Sequence, residues 1–333
     1  MLLTLFIFFF SAATIYVACE YFVNGIEWVG RRLNLGATAV GSVLAAFGTA
    51  LPESAVTLMA VVFGTTAEQK DIGVGAAMGG PLVLATLGYA VVGLALLFNH
   101  RRLARDTYAV HVDYARLSRD QMAFLAVFAL KVALGLVAFV IKPWLGVVFL
   151  VVYALYVWRE IHQSDTAFEE ETIEALRIRP NLAEPSLFWA LLQVMLAMAV
   201  IGVASHTFVS QLEVLGSALN WPPHLVALLL SPVATELPEV MNALIWVRQG
   251  KERLALANIS GAMMIQATLP SALGIFFTPW LFDSTLLASG IITMLAIAWL
   301  CLLFRRGAVD SRTLAATGAL YGLFVLLIAC WLI

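Results

Sequence analysis

The stretch "FGTALPES", Phe47 to Ser54, returns almost unchanged as "VATELPEV", Val233 to Val240. Each copy reads small residue, Thr, any, Leu, Pro, Glu, and each lies inside a long apolar run. A carboxylate in hydrocarbon costs roughly 3 kcal/mol on insertion scales. A proline there cannot donate one turn back, so it frees a carbonyl oxygen. Pro52 frees that of Gly48 beside Glu53, and Pro238 frees that of Ala234 beside Glu239. Thr49 and Thr235 stand four residues before the two glutamates, on the same helix face. One buried glutamate is readily accommodated by a hydrogen bond to a neighbouring helix. Two at matched positions point to a shared binding site.

Composition supplies the setting. The chain of 333 residues is 62% hydrophobic and 12% charged, which fits a polytopic α-helical membrane protein. A β-barrel would alternate apolar and polar residues, whereas these runs are continuously apolar. The start "MLLTLFIFFF" lacks a basic region and reads as a first span rather than a secretory signal. Cys19, Cys301 and Cys330 fall in apolar runs and make no disulfide framework. The five histidines are scattered, without metal-ligand spacing. No cofactor motif and no nucleic-acid-binding pattern is present, so the lipid bilayer is the expected partner.

Ten spans are expected, at roughly 2–28, 36–64, 71–98, 121–141, 143–158, 186–212, 223–247, 253–279, 285–304 and 313–332. Charge supports the count. Of the 19 basic residues, 16 fall in loops that follow odd-numbered spans. The alternate loops hold only Lys70 and Lys142, and Lys131 sits inside the fourth span. By the positive-inside rule the odd-numbered loops face the cytoplasm and both termini lie outside, as in a prokaryotic inner (plasma) membrane. The one long polar segment, 159–185, separates two five-span halves, 1–158 and 186–333. Its Glu169–Glu171 run reads as a solvated loop.

The halves align at an offset of 186 through the two motifs. Downstream, "DIGVGAAMGG" (Asp71 to Gly80) matches "LALANISGAM" (Leu254 to Met263), pairing Gly79 with Gly261 and Thr86 with Thr268. Five spans per half is an odd number, so the copies run in opposite directions. The expected fold is therefore all-α, with ten transmembrane helices in two inverted five-helix repeats. Such repeats place their site near the midplane, where helices are broken. Two carboxylates, two hydroxyls and freed carbonyls form an all-oxygen set that suits hard cations, Ca²⁺ best and Na⁺ next. Without nearby Cys or His, zinc is a poor fit.

At these residues the chain resembles the calcium/cation antiporter superfamily, most closely its prokaryotic sodium/calcium exchanger branch. "GTALPE" differs at one place from that family's G-T-S-L-P-E, and "ATELPE" at two. The resemblance implies that Glu53 and Glu239 are the central Ca²⁺ carboxylates, with Thr49 and Thr235 beside them. It also implies a role for Asn258 in "ANISGAM", where the family's next span carries G-N-x-x-G-S-N. Met263, Ala76 and Pro81 stand where that pattern has amides, and Glu236 where it has a small hydroxyl residue. Glu236 and Glu239 share one helix face and repel, so one of them is expected to hold a proton. The leading reading is a secondary antiporter, not an enzyme, exporting Ca²⁺ against Na⁺ and/or H⁺ by alternating access. A monovalent cation (Na⁺)/H⁺ antiporter is the alternative, ahead of a passive cation channel or an intramembrane enzyme.

Overall fold

The computed structural model describes residues 1–33, 51–103, 105, 107–163, 174–182 and 184–332. Among these the chain is helical throughout, and the only β contact is an isolated antiparallel bridge between Ala109 and Asp310. The helices are α1 (Leu2–Arg32), α2 (Leu51–Val61), α3 (Ala67–Val83), α4 (Tyr89–Phe98), α5 (Tyr114–Gly135) and α6 (Gly146–Gln163). There follow α7 (Leu187–Leu219), α8 (Pro223–Thr235), α9 (Leu237–Arg248), α10 (Glu252–Phe277), α11 (Ser284–Arg305), α12 (Ser311–Ala315) and α13 (Gly318–Leu332). A π-helical turn at Leu84–Gly88 joins α3 to α4 into one span.

Seven of the described spans are long and apolar enough to cross a membrane, or eight when the bent pair α8–α9 counts as one. The expected second span appears only as α2, because its start lies outside the described residues. The expected fourth span is α5, which begins several residues earlier than the apolar run. Asp113 caps it by accepting from the Arg116 amide, so the helix starts in a polar turn carrying Arg116, Arg119 and Asp120. The fifth begins as a 3₁₀ turn at Lys142–Leu145, with Pro143 in its first turn. The last is interrupted between α12 and α13.

Burial separates an inner from an outer layer. About three-quarters of the apolar stretch of α3–α4 and of α10 is buried (72% and 78%), against 28% in α1 and 33% in α7. The outer helices turn leucine and phenylalanine outward, with Leu2, Phe6 and Val203 largely exposed. That is the arrangement expected where the solvent is lipid. α1 packs along α7, α3 on α8, α5 on α11, α6 on α10 and α12 on α4.

Glycine lets the inner helices close on one another. A Cβ on Gly75 would stand 2.1 Å from the His224 carbonyl oxygen, and one on Gly79 would stand 2.6 Å from that of Leu228. On the next face, a Cβ on Gly73 would stand 2.3 Å from Val61 Cγ1. α3 is thus wedged between α2 and α8 at backbone distance. Thr86 and Thr268, matched in the sequence repeat, make the same bond, each hydroxyl donating to the carbonyl four residues back (Leu82 and Met264).

The loops sort into two ends of the bundle. Arg105, after α4, pairs with Glu252 at the start of α10 through Nη1 at 2.8 Å from both carboxylate oxygens. The Val110 amide donates to the Val309 carbonyl, and Ser311 to that of Tyr108. Asn24 and Trp28 of α1 donate to the Glu174 carbonyl. At the other end His224 meets Asp283 at 2.9 Å, Lys142 donates to the Trp280 carbonyl, and Gln69 donates to Glu213. Loops that follow odd-numbered spans touch one another, as do those that follow even-numbered spans. Hence the turn after α2 and the turn after α9 lie at opposite ends. Single cysteines placed at Lys70 and at Arg253 are expected to react with an impermeant maleimide from opposite sides of the membrane, and labelling of both from one side would contradict this arrangement.

Candidate functional site

Glu53 is the third residue of α2 and follows Pro52, in the first turn of the described helix. Its side chain is 1% exposed, and neither carboxylate oxygen has a hydrogen-bond partner among the described residues. The carboxylate lies against Gly80 of α3, where an added Cβ would meet Cδ and both oxygens at 2.7 Å. Only glycine lets α3 pass so close to the charge. One turn on, the hydroxyl of Thr57 is fully buried and also unpartnered.

The second copy is built around a break. α8 ends at Thr235, α9 begins at Leu237, and the two are bent by 40°. Glu236 occupies the joint, its amide donating to the Pro232 carbonyl and its carbonyl accepting from Val240. Pro238, in the first turn of α9, needs no intrahelical donor there. Glu239 follows it, is 0% exposed, and has no partner for either carboxylate oxygen among the described residues. Ser231, one turn before Thr235, is buried with its hydroxyl unpartnered.

Glu236 is in a different situation from its two neighbours. Its Oε1 accepts from the Thr235 hydroxyl at 2.9 Å and its Oε2 from Gln266 Nε2 at 2.6 Å. The three glutamates lie within electrostatic range: Glu236 acts on Glu53 and on Glu239, and Glu53 on Glu239. They are not packed into a closed centre, for no group of three His, Cys, Asp or Glu among the described residues stands close enough to hold a metal. Four carboxylate oxygens without a hydrogen-bond partner among the described residues are thus carried on α2 and α9, with unpartnered hydroxyls on α2 and α8.

Of the expected site residues, the structure puts Thr235, Glu236 and Glu239 at the α8–α9 break and Glu53 on α2 against Gly80 of α3. Thr49 lies outside the described residues. Asn258 is half-buried on α10, and its amide nitrogen has no hydrogen-bond partner among the described residues. It stands two turns, about 12 Å, along the helix from Gln266. Gln266 was not singled out in the sequence, although a fully buried amide in an apolar span is a signal of its own. Thr57 was missed too, although it sits one helical turn from Glu53.

A polytopic bundle whose discontinuous helices carry buried carboxylates at their broken ends has the architecture of an ion-coupled membrane transporter. The chain belongs to the sodium/calcium exchanger family, whose model matches residues 3–161 and 189–330. It is thus an integral membrane exchanger and not an enzyme. It is 25% identical to the inner membrane protein YrbG of Escherichia coli over 293 residues, 85% of this chain and 83% of that one. In fold it is similar to the H⁺/Ca²⁺ exchanger CAX, with TM-score 0.74 at 17% identity, covering 98% of this chain and 82% of that one. It is also similar to the sodium-calcium exchanger NCX_Mj, with TM-score 0.59 at 19% identity and 99% of both chains covered.

Among the described residues, Gln266 is the one amide that holds Glu236 across helices. Gln266→Leu removes that donor and leaves a buried carboxylate oxygen unpaired, at an expected cost of about 1–3 kcal/mol. Thermal unfolding in detergent checks this, and an unchanged midpoint would show that the contact does not anchor α10 to the break.

Proposed function

We propose that the chain is a secondary antiporter that exports Ca²⁺ in exchange for Na⁺ and/or H⁺ through one acidic midplane site. The observation that carries this reading is the set of four buried, unpartnered oxygens of Glu53 and Glu239. Buried carboxylates in proteins are nearly always paired, so free ones mark a ligand for a cation. Thr235, Thr49 and Asn258 supply neutral oxygens in this reading, and Ca²⁺ tolerates such irregular oxygen shells. Two carboxylates neutralise one Ca²⁺ or the equivalent monovalent load, but not both, and this exclusion couples the fluxes. The site opens alternately to either side as the two halves, 1–158 and 186–333, move against each other around it, with 159–185 as their linker. In this reading the basic loops, Arg105 and Arg253 among them, face the cytoplasm, and both termini lie outside a plasma membrane.

Glu53→Gln and Glu239→Gln are each expected to abolish ⁴⁵Ca²⁺ exchange in proteoliposomes while the protein stays folded, since removing a buried charge also removes its burial cost. Exchange at the wild-type rate in either variant would overturn the assignment.

A proton joins the coupling in this reading because of Glu236. It is an acid where the matched position of the first copy has Ala50, and it shares the field of the other two glutamates. Ca²⁺ uptake driven by a pH gradient alone, without Na⁺, is expected in the wild type and reduced at least tenfold in Glu236→Ser. None in the wild type would leave Na⁺ as the coupling ion, and equal uptake in both would show that a proton couples without Glu236.

A further inference from the structure

One basic side chain lies where the positive-inside pattern has no place for it. Lys131 is four residues before the end of α5 at Gly135. A lysine so close to a helix end ordinarily extends its stem to the membrane surface. Lys131 does the opposite. It is 0% exposed, turns inward, and donates from Nζ to the Ala77 carbonyl of α3 at 3.0 Å. Its Nζ stands 4.5 Å from the centre of the Phe128 ring, and the Trp280 indole donates to its own carbonyl. A backbone oxygen and an aromatic face are the partners of a charged ammonium. Ala77 is also one turn from Gly80, the residue against the Glu53 carboxylate. Lys131 and Glu53 lie within electrostatic range, yet the Glu53 oxygens remain without a hydrogen-bond partner among the described residues.

We propose that Lys131 is a tethered counter-cation of the Glu53–Glu236–Glu239 site, whose fixed charge opposes the incoming ion and so sets its affinity and release. This rests on the reading of that site as a cation site. When Ca²⁺ displaces the Glu236 proton, the ionised Glu236 and the Lys131 ammonium cancel, and Glu53 and Glu239 leave a net charge of −2, which the ion neutralises. Without the ammonium the site would hold an excess negative charge after binding Ca²⁺, and the ion would leave slowly. Because Lys131 forms no ion pair with Glu53, it weakens the cation's attraction without occupying its ligands. The geometry supports a charge that tunes the site from α5 through α3.

The test compares ⁴⁵Ca²⁺ and ²²Na⁺ binding to wild type, Lys131→Gln, Lys131→Met, Lys131→Arg and Glu53→Gln, purified in detergent. Lys131→Gln removes the charge and retains an N–H donor on a side chain one bond shorter. Both neutral variants are expected to bind Ca²⁺ at least tenfold more tightly and to release it more slowly from proteoliposomes. Lys131→Arg is expected to match the wild type. Lys131→Gln binding as the wild type does, or more weakly, overturns the proposal, because a merely structural lysine predicts that result. Folding by Lys131→Arg while both neutral variants fail to fold overturns it too, since the charge is then structural. Loss of binding in Glu53→Gln with no change in either neutral variant removes the lysine and leaves the site. Absence of any cation binding to the wild type removes both.

Discussion

The carboxylate of Glu53 occupies the space where a Cβ on Gly80 would be, and much of the inner architecture follows from that contact. A charged oxygen pair can be held in a membrane bundle only where protein excludes lipid from it. α3 achieves this by presenting glycine on two faces, to α2 and its Glu53 through Gly73 and Gly80, and to α8 through Gly75 and Gly79. The backbone of α8 thereby comes close to α3, and the break at Glu236 lies at its end. A larger residue at position 80 would push α3 off the carboxylate and open the site to its surroundings.

Most of the fold was legible because two strong signals act along the chain. Apolar length marks spans, and alternating basic residues assign their loops to ends. The contacts of Arg105 with Glu252 and of His224 with Asp283 join loops of the same parity, as the charges imply. Boundaries were less legible where capping competes with hydropathy. Asp113 starts α5 in a polar turn that no apolar window includes. The interruption between α12 and α13 has no proline or charge to announce it.

The candidate site was half legible, and for a definite reason. Glu53 and Glu239 are carried by a motif written twice, so repetition itself distinguishes them from ordinary buried acids. Gln266, Thr57 and Lys131 have no such duplicate, and their roles depend on which helix each one faces. Gln266 matters because α10 packs on α9 and so brings its amide to Glu236. No local pattern encodes that pairing. Asn258 shows the converse, since its motif position is clear while the helix places it two turns from the contact that Gln266 makes.

The departures from symmetry are what give the site its character. Glu53 and Glu239 are matched, but Glu236 faces Ala50 in the alignment, and Gln266, which holds it, faces Leu84. Lys131 is likewise unmatched, because α11, which packs on α5, carries no charged residue before Arg305 at its last position. The C-terminal part thus carries an extra acid, Glu236, and the N-terminal part an extra base, Lys131, both fully buried. An unpaired charge of either kind would be costly in a poorly solvated interior, and together they cancel at long range. A symmetric pair of glutamates can only attract cations, whereas this asymmetric quartet holds an internal plus and minus whose balance an arriving ion must disturb. In the proposed exchanger, the affinity of the site is set by groups that lie outside its matched pair of glutamates.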